Sequence, residues 1–234
     1  MAADIAEQTG ALLDVSVIIP TLNAAPQLAN TLSACRGVAE MLVVDGGSTD
    51  ETVAIAMRLG ARVIASDRGR GVQLHRGASE ARGSWLLFLH ADTVLTGSWP
   101  RDLQDFTGQA SNRLRVAAFS FGLDDSSASA RRLERIVTWR VRHLGLPYGD
   151  QGLLIHRELY RLLGGYRAWP LMEDVDLVRR AGRRRLTVLA AVARTSATRF
   201  RQEGWRRRSW RNFGCLALYF LGVSPRVIAR LYGK

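Results

Sequence analysis

Apolar blocks alternate with amphipathic stretches through the first half of the chain. Val15-Ser-Val-Ile-Ile19 is rich in β-branched residues and reads as a buried strand closed by Pro20. A helix is predicted from about Pro26 to Cys35, and Met41-Leu-Val-Val44 is a second strand. Ser48-Thr-Asp-Glu51 has the spacing of a capping box and would open a helix running to about Leu59. Arg62-Val-Ile-Ala65 is a short third strand, Gly71 to Arg82 a helix, and Trp85-Leu-Leu-Phe-Leu89 a fourth, continuously apolar strand. Strands without a polar face, separated by helices, predict a parallel sheet covered on both sides. Such sheets bind ligands beyond the carboxyl ends of their strands.

The second half is less regular. Val116 to Leu123 reads as a strand, Ala128 to Leu144 as a long basic helix, and Leu153-Leu-Ile155 as a short strand. Arg157 to Leu163 forms a helix ended by Gly164-Gly165, followed by a helix from Glu173 to Ala181 and a strand from Leu186 to Val192. No repeat or low-complexity linker interrupts the pattern. It predicts one domain over residues 1–234, with a nucleotide-binding half at about 15–95, an acceptor half at about 96–200 and C-terminal helices at about 203–232.

Charge adds a class of partner. The chain of 234 residues carries a net charge of +12, and Lys234 is its only lysine among 33 basic residues, so 33 − 1 = 32 are arginine. Arginine binds phosphates bidentately and packs on apolar surface, which suits a nucleotide, a nucleic acid or an anionic membrane. Cys35 and Cys215 form no CxxC pair, so neither a disulfide framework nor a zinc site is expected. Met1 to Asp14 lacks the basic start of a secretory leader, and Phe213 to Val223 falls short of the roughly 18 residues of a spanning helix. The expectation is a cytoplasmic protein, soluble or held at the inner face of the membrane.

Three acidic features fall at predicted strand ends or helix starts: Asp45 in Val43-Val-Asp-Gly-Gly-Ser-Thr-Asp50, Asp92 in Leu89-His-Ala-Asp-Thr93, and Glu173-Asp174. A carboxylate so placed can bind a ribose or base, or ligate a hard divalent cation alongside phosphate. Each alone also fits a turn or a helix's first turn. Together, on one side of one predicted sheet, they point to a site.

These segments resemble the family 2 glycosyltransferases from about Val15 to Leu177. Val17-Ile-Ile-Pro-Thr-Leu-Asn23, the two segments above, Arg68-Gly-Arg-Gly-Val-Gln73 and Leu171-Met-Glu-Asp-Val175 carry the resemblance. Pro147-Tyr-Gly-Asp-Gln-Gly152, Leu163-Gly-Gly-Tyr166 and Pro170-Leu-Met-Glu-Asp174 look like a bacterial subgroup labelled for arsenosugar biosynthesis. The resemblance implies an α/β protein of the GT-A fold: a single Rossmann-like, mostly parallel sheet flanked by helices, with a C-terminal helical extension.

It also implies roles. Pro20, Thr21, Asn23, Asp45, Gly46 and Ala91 would hold the nucleotide of a UDP- or GDP-sugar, and Arg70 and Gln73 would reach its diphosphate or sugar. Asp92 matches the last acid of the family's DxD motif and would hold Mn²⁺ or Mg²⁺. His90 stands where that motif begins with an acid; it is a second metal candidate, or a core histidine. Asp174 matches the catalytic base of an inverting displacement, with Glu173 orienting it or the acceptor. Asp150 and Gln151 would line the acceptor side, and Arg199 would make a late diphosphate contact. Arg206-Arg-Arg208 with Trp205, Trp210 and Phe213 is either a solvated helix face or a surface for an anionic membrane, the latter suiting a lipid or lipid-linked acceptor.

Two rival classes remain. A sugar-nucleotide-forming nucleotidyltransferase needs a Gly-rich loop after its first strand, where Pro20-Thr-Leu-Asn23 stands instead. A basic nucleic-acid-binding or membrane-binding module fits the charge. The arginines are spread along the chain, however, and no nucleic-acid motif appears, so no nucleic acid is expected.

Overall fold

A computed structural model describes residues 13–232. Eight strands form one sheet: β1 (Leu13–Thr21), β2 (Val38–Asp45), β3 (Arg62–Ala65), β4 (Trp85–Phe88), β5 (Thr93–Thr96), β6 (Val116–Leu123), β7 (Leu153–His156) and β8 (Leu186–Thr195). Their order is β3-β2-β1-β4-β7-β6-β8-β5. The first four pair in parallel, as does β6 with β8, whereas β7 runs antiparallel to both its neighbours and β5 is antiparallel to β8.

The helices are α1 (Ala25–Ala34), α2 (Thr52–Arg58), α3 (Arg70–Glu80), α4 (Trp99–Thr107), α5 (Ala128–Leu144), α6 (Arg157–Leu162), α7 (Glu173–Ala181), α8 (Thr198–Glu203), α9 (Trp205–Phe220) and α10 (Pro225–Tyr232). β1 shows why the strands are apolar throughout. Val17 and Ile19 face a core shared with Leu28 and Leu32 of α1 and Leu103 of α4. Ile18 faces the opposite core, with Leu74 of α3 and Leu177 of α7. Burial on both faces of a strand contributes about 1.5–3 kcal/mol per large aliphatic side chain.

Three local expectations change. Glu51 is the N-cap of α2 but makes no side-chain cap bond. The Ser48 hydroxyl turns back to Asp45, and Asp50 takes the Thr52 N–H instead. The capping-box spacing therefore serves a loop, not a helix start. β8 runs on to Thr195, beyond the predicted end at Val192, because β5 and β6 both pair with its last residues. β5 itself, only Thr93–Thr96, has too short an apolar run to be read from pattern. Cys35 and Cys215 are both free and buried, and burial pushes the Cys35 thiol up to about 12.

A third cluster holds the C-terminal helices in place. Cys215 and Leu216 of α9 and Ile228 and Ala229 of α10 pack on Leu146, Leu171, Met172 and Val175.

Candidate active site

At the carboxyl end of β1 the sheet opens. β1 pairs with β2 as far as Thr21 opposite Asp45, but with β4 only to Ile18 opposite Phe88. Pro20, which has no N–H to donate, lies at this divergence. The crevice between the ends of β1, β2 and β4 is where an open α/β sheet binds ligands.

Asp45 organises the first wall of that crevice. Its Oδ1 accepts from the Thr21 hydroxyl (3.0 Å) and the Ser48 hydroxyl (2.5 Å), and its Oδ2 from the Gly47 and Ser48 N–H groups (2.9 and 2.8 Å). Burial raises the acid, but these four donors outweigh it and hold the carboxyl below its ordinary value. Asn23 adopts φ 51°, a left-handed conformation that asparagine tolerates. Its Oδ1 accepts from the Thr49 N–H (2.9 Å), and its own N–H donates to Ser48 Oγ (2.9 Å).

Gln73 is buried and its Nε2 donates to the carbonyls of both Thr21 and Val44 (2.8 Å each). It clamps two strand ends together and has no amide hydrogen left for a diphosphate. Gly46 lies against the Gln73 amide, and its carbonyl accepts from Arg68 Nε (3.3 Å).

One turn before Gln73 on α3, Arg70 reaches the second half of the chain. Its Nε donates to Glu173 Oε1, and its Nη1 lies 3.3 Å from His90 Nε2. A guanidinium can only donate, so the Nε2 lone pair of His90 faces Arg70. Burial disfavours the Arg70 charge, but Glu173 and Asp174 more than compensate and keep it cationic. Glu173 is fully buried, and burial pushes its carboxyl up against the opposing pull of Arg70. Its Oε2 has no partner.

Asp174 sits in the first turn of α7, held by the Val175 N–H on Oδ1 (2.8 Å) and the Gly149 N–H on Oδ2 (2.7 Å). Only glycine fits at 149: a Cβ there would lie 2.6 Å from His90 Nε2 and 3.4 Å from Asp174 Oδ2. Asp150 follows in the same 3₁₀ turn, Gly149–Gln151. Burial, then the charges of Asp174 and Asp92, push its carboxyl up to about 6 against Arg140, and its buried Oδ1 has no partner.

A cavity of about 160 Å³ gathers Arg70, His90, Asp92, Asp150, Asp174 and Arg199. Of the sequence-predicted residues, Glu173 and Gln151 back this cavity without lining it. Gln151 is buried with Nε2 donating to the Phe119 carbonyl (3.0 Å). Ala91 offers its carbonyl to the Thr31 hydroxyl (2.8 Å). Pro20, Thr21, Asn23, Asp45, Gly46 and Gln73 form the separate wall described above.

Tyr148, Thr195, Ser196 and Asn212, none of them assigned a role from sequence, also line the cavity, as does Arg208. Tyr148 lay within a quoted motif and could have been named. Arg140 stacks over its ring at 3.4 Å, and burial pushes its hydroxyl up to about 12, so it stays a neutral donor. Arg208, read as part of a solvated or membrane-facing run, is instead buried and turned into the cavity, and Trp205 of the same run stacks on Phe200. Asn212 carries no sequence signal, since only the return of α9 over the cavity brings it in.

Among the described residues no three His, Cys, Asp or Glu side chains converge as a ready-made metal cage. Asp92 still fits a divalent ion that keeps phosphate and water in its shell. It lines the cavity, and its Oδ1 has only a long contact to the Thr195 hydroxyl (3.4 Å).

A helix-flanked, mostly parallel sheet with carboxylates and arginines over its strand ends is the GT-A architecture of glycosyltransferases. Residues 16–146, more than half of the chain, match Glycosyl transferase family 2, and the chain belongs to that family. It is 41% identical over 115 residues to a PGL/p-HBAD biosynthesis glycosyltransferase of Mycobacterium bovis, an alignment covering 44% of this chain and 40% of that relative. The chain thus spans well under half the length of this relative.

Two solved structures share the fold. S. aureus TarS 1-349 in complex with UDP-GlcNAc gives a TM-score of 0.60 at 18% identity, covering 78% of this chain and 58% of that one. Glucosyl-3-phosphoglycerate synthase from Mycobacterium tuberculosis, in complex with Mn²⁺, UDP and glucosyl-3-phosphoglycerate, gives 0.52 at 21%, covering 82% and 72%.

Proposed function

We propose that this glycosyltransferase moves a sugar from a UDP- or GDP-sugar to an acceptor hydroxyl by one inverting displacement, in the cytoplasm. The observation that carries the reading is Asp174. It is fixed by two backbone N–H groups in a cavity shared with Asp92 and Arg70, at the carboxyl end of the sheet. The acceptor oxygen forms a bond to the anomeric carbon as the bond from that carbon to the diphosphate oxygen breaks. The acceptor proton passes to Asp174, and the bonding electrons leave with the nucleoside diphosphate.

Arg70 and Arg199 are placed to stabilise charge on the leaving group. Asp92 would hold Mn²⁺ or Mg²⁺ together with the donor's phosphates, and the ion would supply further neutralisation there. His90, whose Nε2 faces a guanidinium, is assigned to orient Arg70 rather than to ligate the ion. Asp45 and Gln73 are assigned to shape the nucleotide wall rather than to grip the donor, since their hydrogen-bonding groups are already engaged. Ser48, Asn23 and Gly46 then present the surface that the base and ribose meet. Asp150 and Tyr148 face the acceptor. The second-half motifs support membership of the subgroup labelled for arsenosugar biosynthesis and build this acceptor side.

The coordination chemistry of Asp92 and the UDP and Mn²⁺ of the structural neighbour support the donor class. The test is thermal unfolding. UDP or GDP at about 100 times its Kd, with Mn²⁺, should stabilise the fold by about 2.7 kcal/mol and raise Tm by several degrees. No shift with any nucleoside diphosphate would overturn the donor assignment.

A further inference from the structure

The two C-terminal helices bury one apolar face and leave another in solvent. On α9, Arg208, Asn212 and Cys215 point into the cavity. Arg206, Trp210, Phe213 and Phe220 recur at i, i+4, i+7 and i+14, and all are exposed. At 3.6 residues per turn these sets fall on opposite sides of the helix. Trp210 is 69% exposed, Phe213 62% and, in the turn that follows, Leu221 80%. α10 adds Arg226, Val227, Arg230 and Leu231, again exposed.

The charge on this surface has one sign. From Gly204 to the end of the chain there is no aspartate or glutamate. The inward Arg208 and Arg211 are paired with Glu203 of α8. Among the described residues the exposed Arg206, Arg207, Arg226 and Arg230 have no ion pair.

We propose that the exposed faces of α9 and α10 dock on an anionic bilayer surface and hold the protein there, with α9 between the bilayer and the cavity. Aromatic and leucine side chains beside unpaired arginines suit the bilayer interface, where apolar burial and attraction to anionic lipid act together. No helix among the described residues is long and apolar enough to cross a membrane, so the contact would lie in the interface plane. A second copy of the chain fits less well. A two-fold contact through this patch would bring the same arginines face to face. A nucleic acid would leave Leu221, Val227 and Leu231 without a role.

The test is co-sedimentation of the full chain with phosphatidylcholine vesicles, alone or with about one third phosphatidylglycerol, at about 0.1 M salt. Wild type should bind the anionic vesicles and not the neutral ones. Arg206→Glu with Arg207→Glu should weaken binding at least about tenfold, since each lost arginine is equivalent to roughly fivefold. Trp210→Ser with Phe213→Ser should weaken it by a similar factor. Neither pair touches the cavity, so both variants should keep the wild-type thermal shift with UDP or GDP and Mn²⁺, which also shows that they are folded.

Absence of wild-type binding, equal binding to neutral vesicles, or variants that bind as well as wild type would each overturn the proposal. So would a wild-type dimer that the substitutions convert to monomer. Vesicle binding without any nucleotide shift would remove the donor reading and leave docking standing. The reverse result would remove docking alone.

Discussion

Asp45, the last residue of β2, and Asp150, in a 3₁₀ turn, both lie near the carboxyl end of the sheet, and their surroundings treat them oppositely. Asp45 accepts four hydrogen bonds from its own neighbourhood and is held below its ordinary pKa. Asp150 has a buried Oδ1 with no partner and is pushed up to about 6. The difference extends to the regions around them. On the nucleotide wall, Asn23, Ser48, Asp50 and Thr52 are tied into one network. Besides Arg62 Nε, the buried polar atoms left without a partner among the described residues belong to Asp150, Glu173, Arg208 and Arg211, around the cavity and its roof. A buried polar group lacking a partner is destabilising by about 1–3 kcal/mol. One wall is therefore finished by the chain itself. The other keeps polar groups in reserve for what enters it.

The largest effect that would sharpen this contrast is chemical. Asp174→Asn keeps an acceptor for the Gly149 N–H but loses the proposed base. Transfer should fall by about 10²–10⁴-fold, a barrier increase of roughly 3–5 kcal/mol. The nucleotide-dependent rise in Tm should stay near the wild-type value. Turnover at the wild-type rate would move the base to another residue.

Next, Asp45→Ala orphans donors from Thr21, Gly47 and Ser48 and should lower stability by about 2–4 kcal/mol in urea unfolding at pH 7. Asp45 has a depressed folded pKa, so its contribution is present above the ordinary carboxylate range and lost as pH falls through the folded value. The gap between wild type and variant should accordingly narrow in acid. A change within about 0.5 kcal/mol at pH 7 would mean that the nucleotide wall is not held as described.

The smallest effect runs the other way. Asp150 is raised in the folded state, so from about pH 4 to pH 6 the folded protein holds a proton that the unfolded chain has released. Stability is lost across that window and stays lost above it. Asp150→Asn should remove the penalty, raising stability by about 1–3 kcal/mol at pH 8 and by nothing below pH 4, with a chelator present. A variant less stable than wild type at pH 8 would show that the acceptor side is as fully satisfied as the nucleotide wall.

The nucleotide wall was also the more legible region. Its strands are buried on both faces, and its loops follow directly from them, so periodicity places Asp45 and Asp92 near strand ends without any tertiary knowledge. Local pattern fails where a group has two possible partners. Ser48 matches a helix cap by spacing and serves Asp45 instead, while Asp50 takes the Thr52 N–H. Gln73 reads as a diphosphate contact and proves to be a clamp, since only the fold brings Thr21 and Val44 to its amide. On the acceptor side Glu173-Asp174 stood out as acids at a helix start, and the resemblance supplied their roles and Asp150. The roof, formed by Arg208, Asn212 and Cys215, depends on a helix returning from the far end of the chain, and no short-range pattern encodes that return.

The path of β5 separates the covalent order of the chain from its spatial order. Asp92 ends the segment after β4, yet the next four-residue strand, Thr93–Thr96, crosses to the far edge of the sheet and pairs with β8. The early and late parts of the chain are therefore interlaced, and a cut after Thr96 would strand one edge of the later sheet on the earlier fragment. Anyone exchanging the later part of the chain for a relative's would have to carry β5 across with β8. In engineering and in recombination between relatives, the exchangeable unit is set by that crossing and not by the midpoint of the sequence.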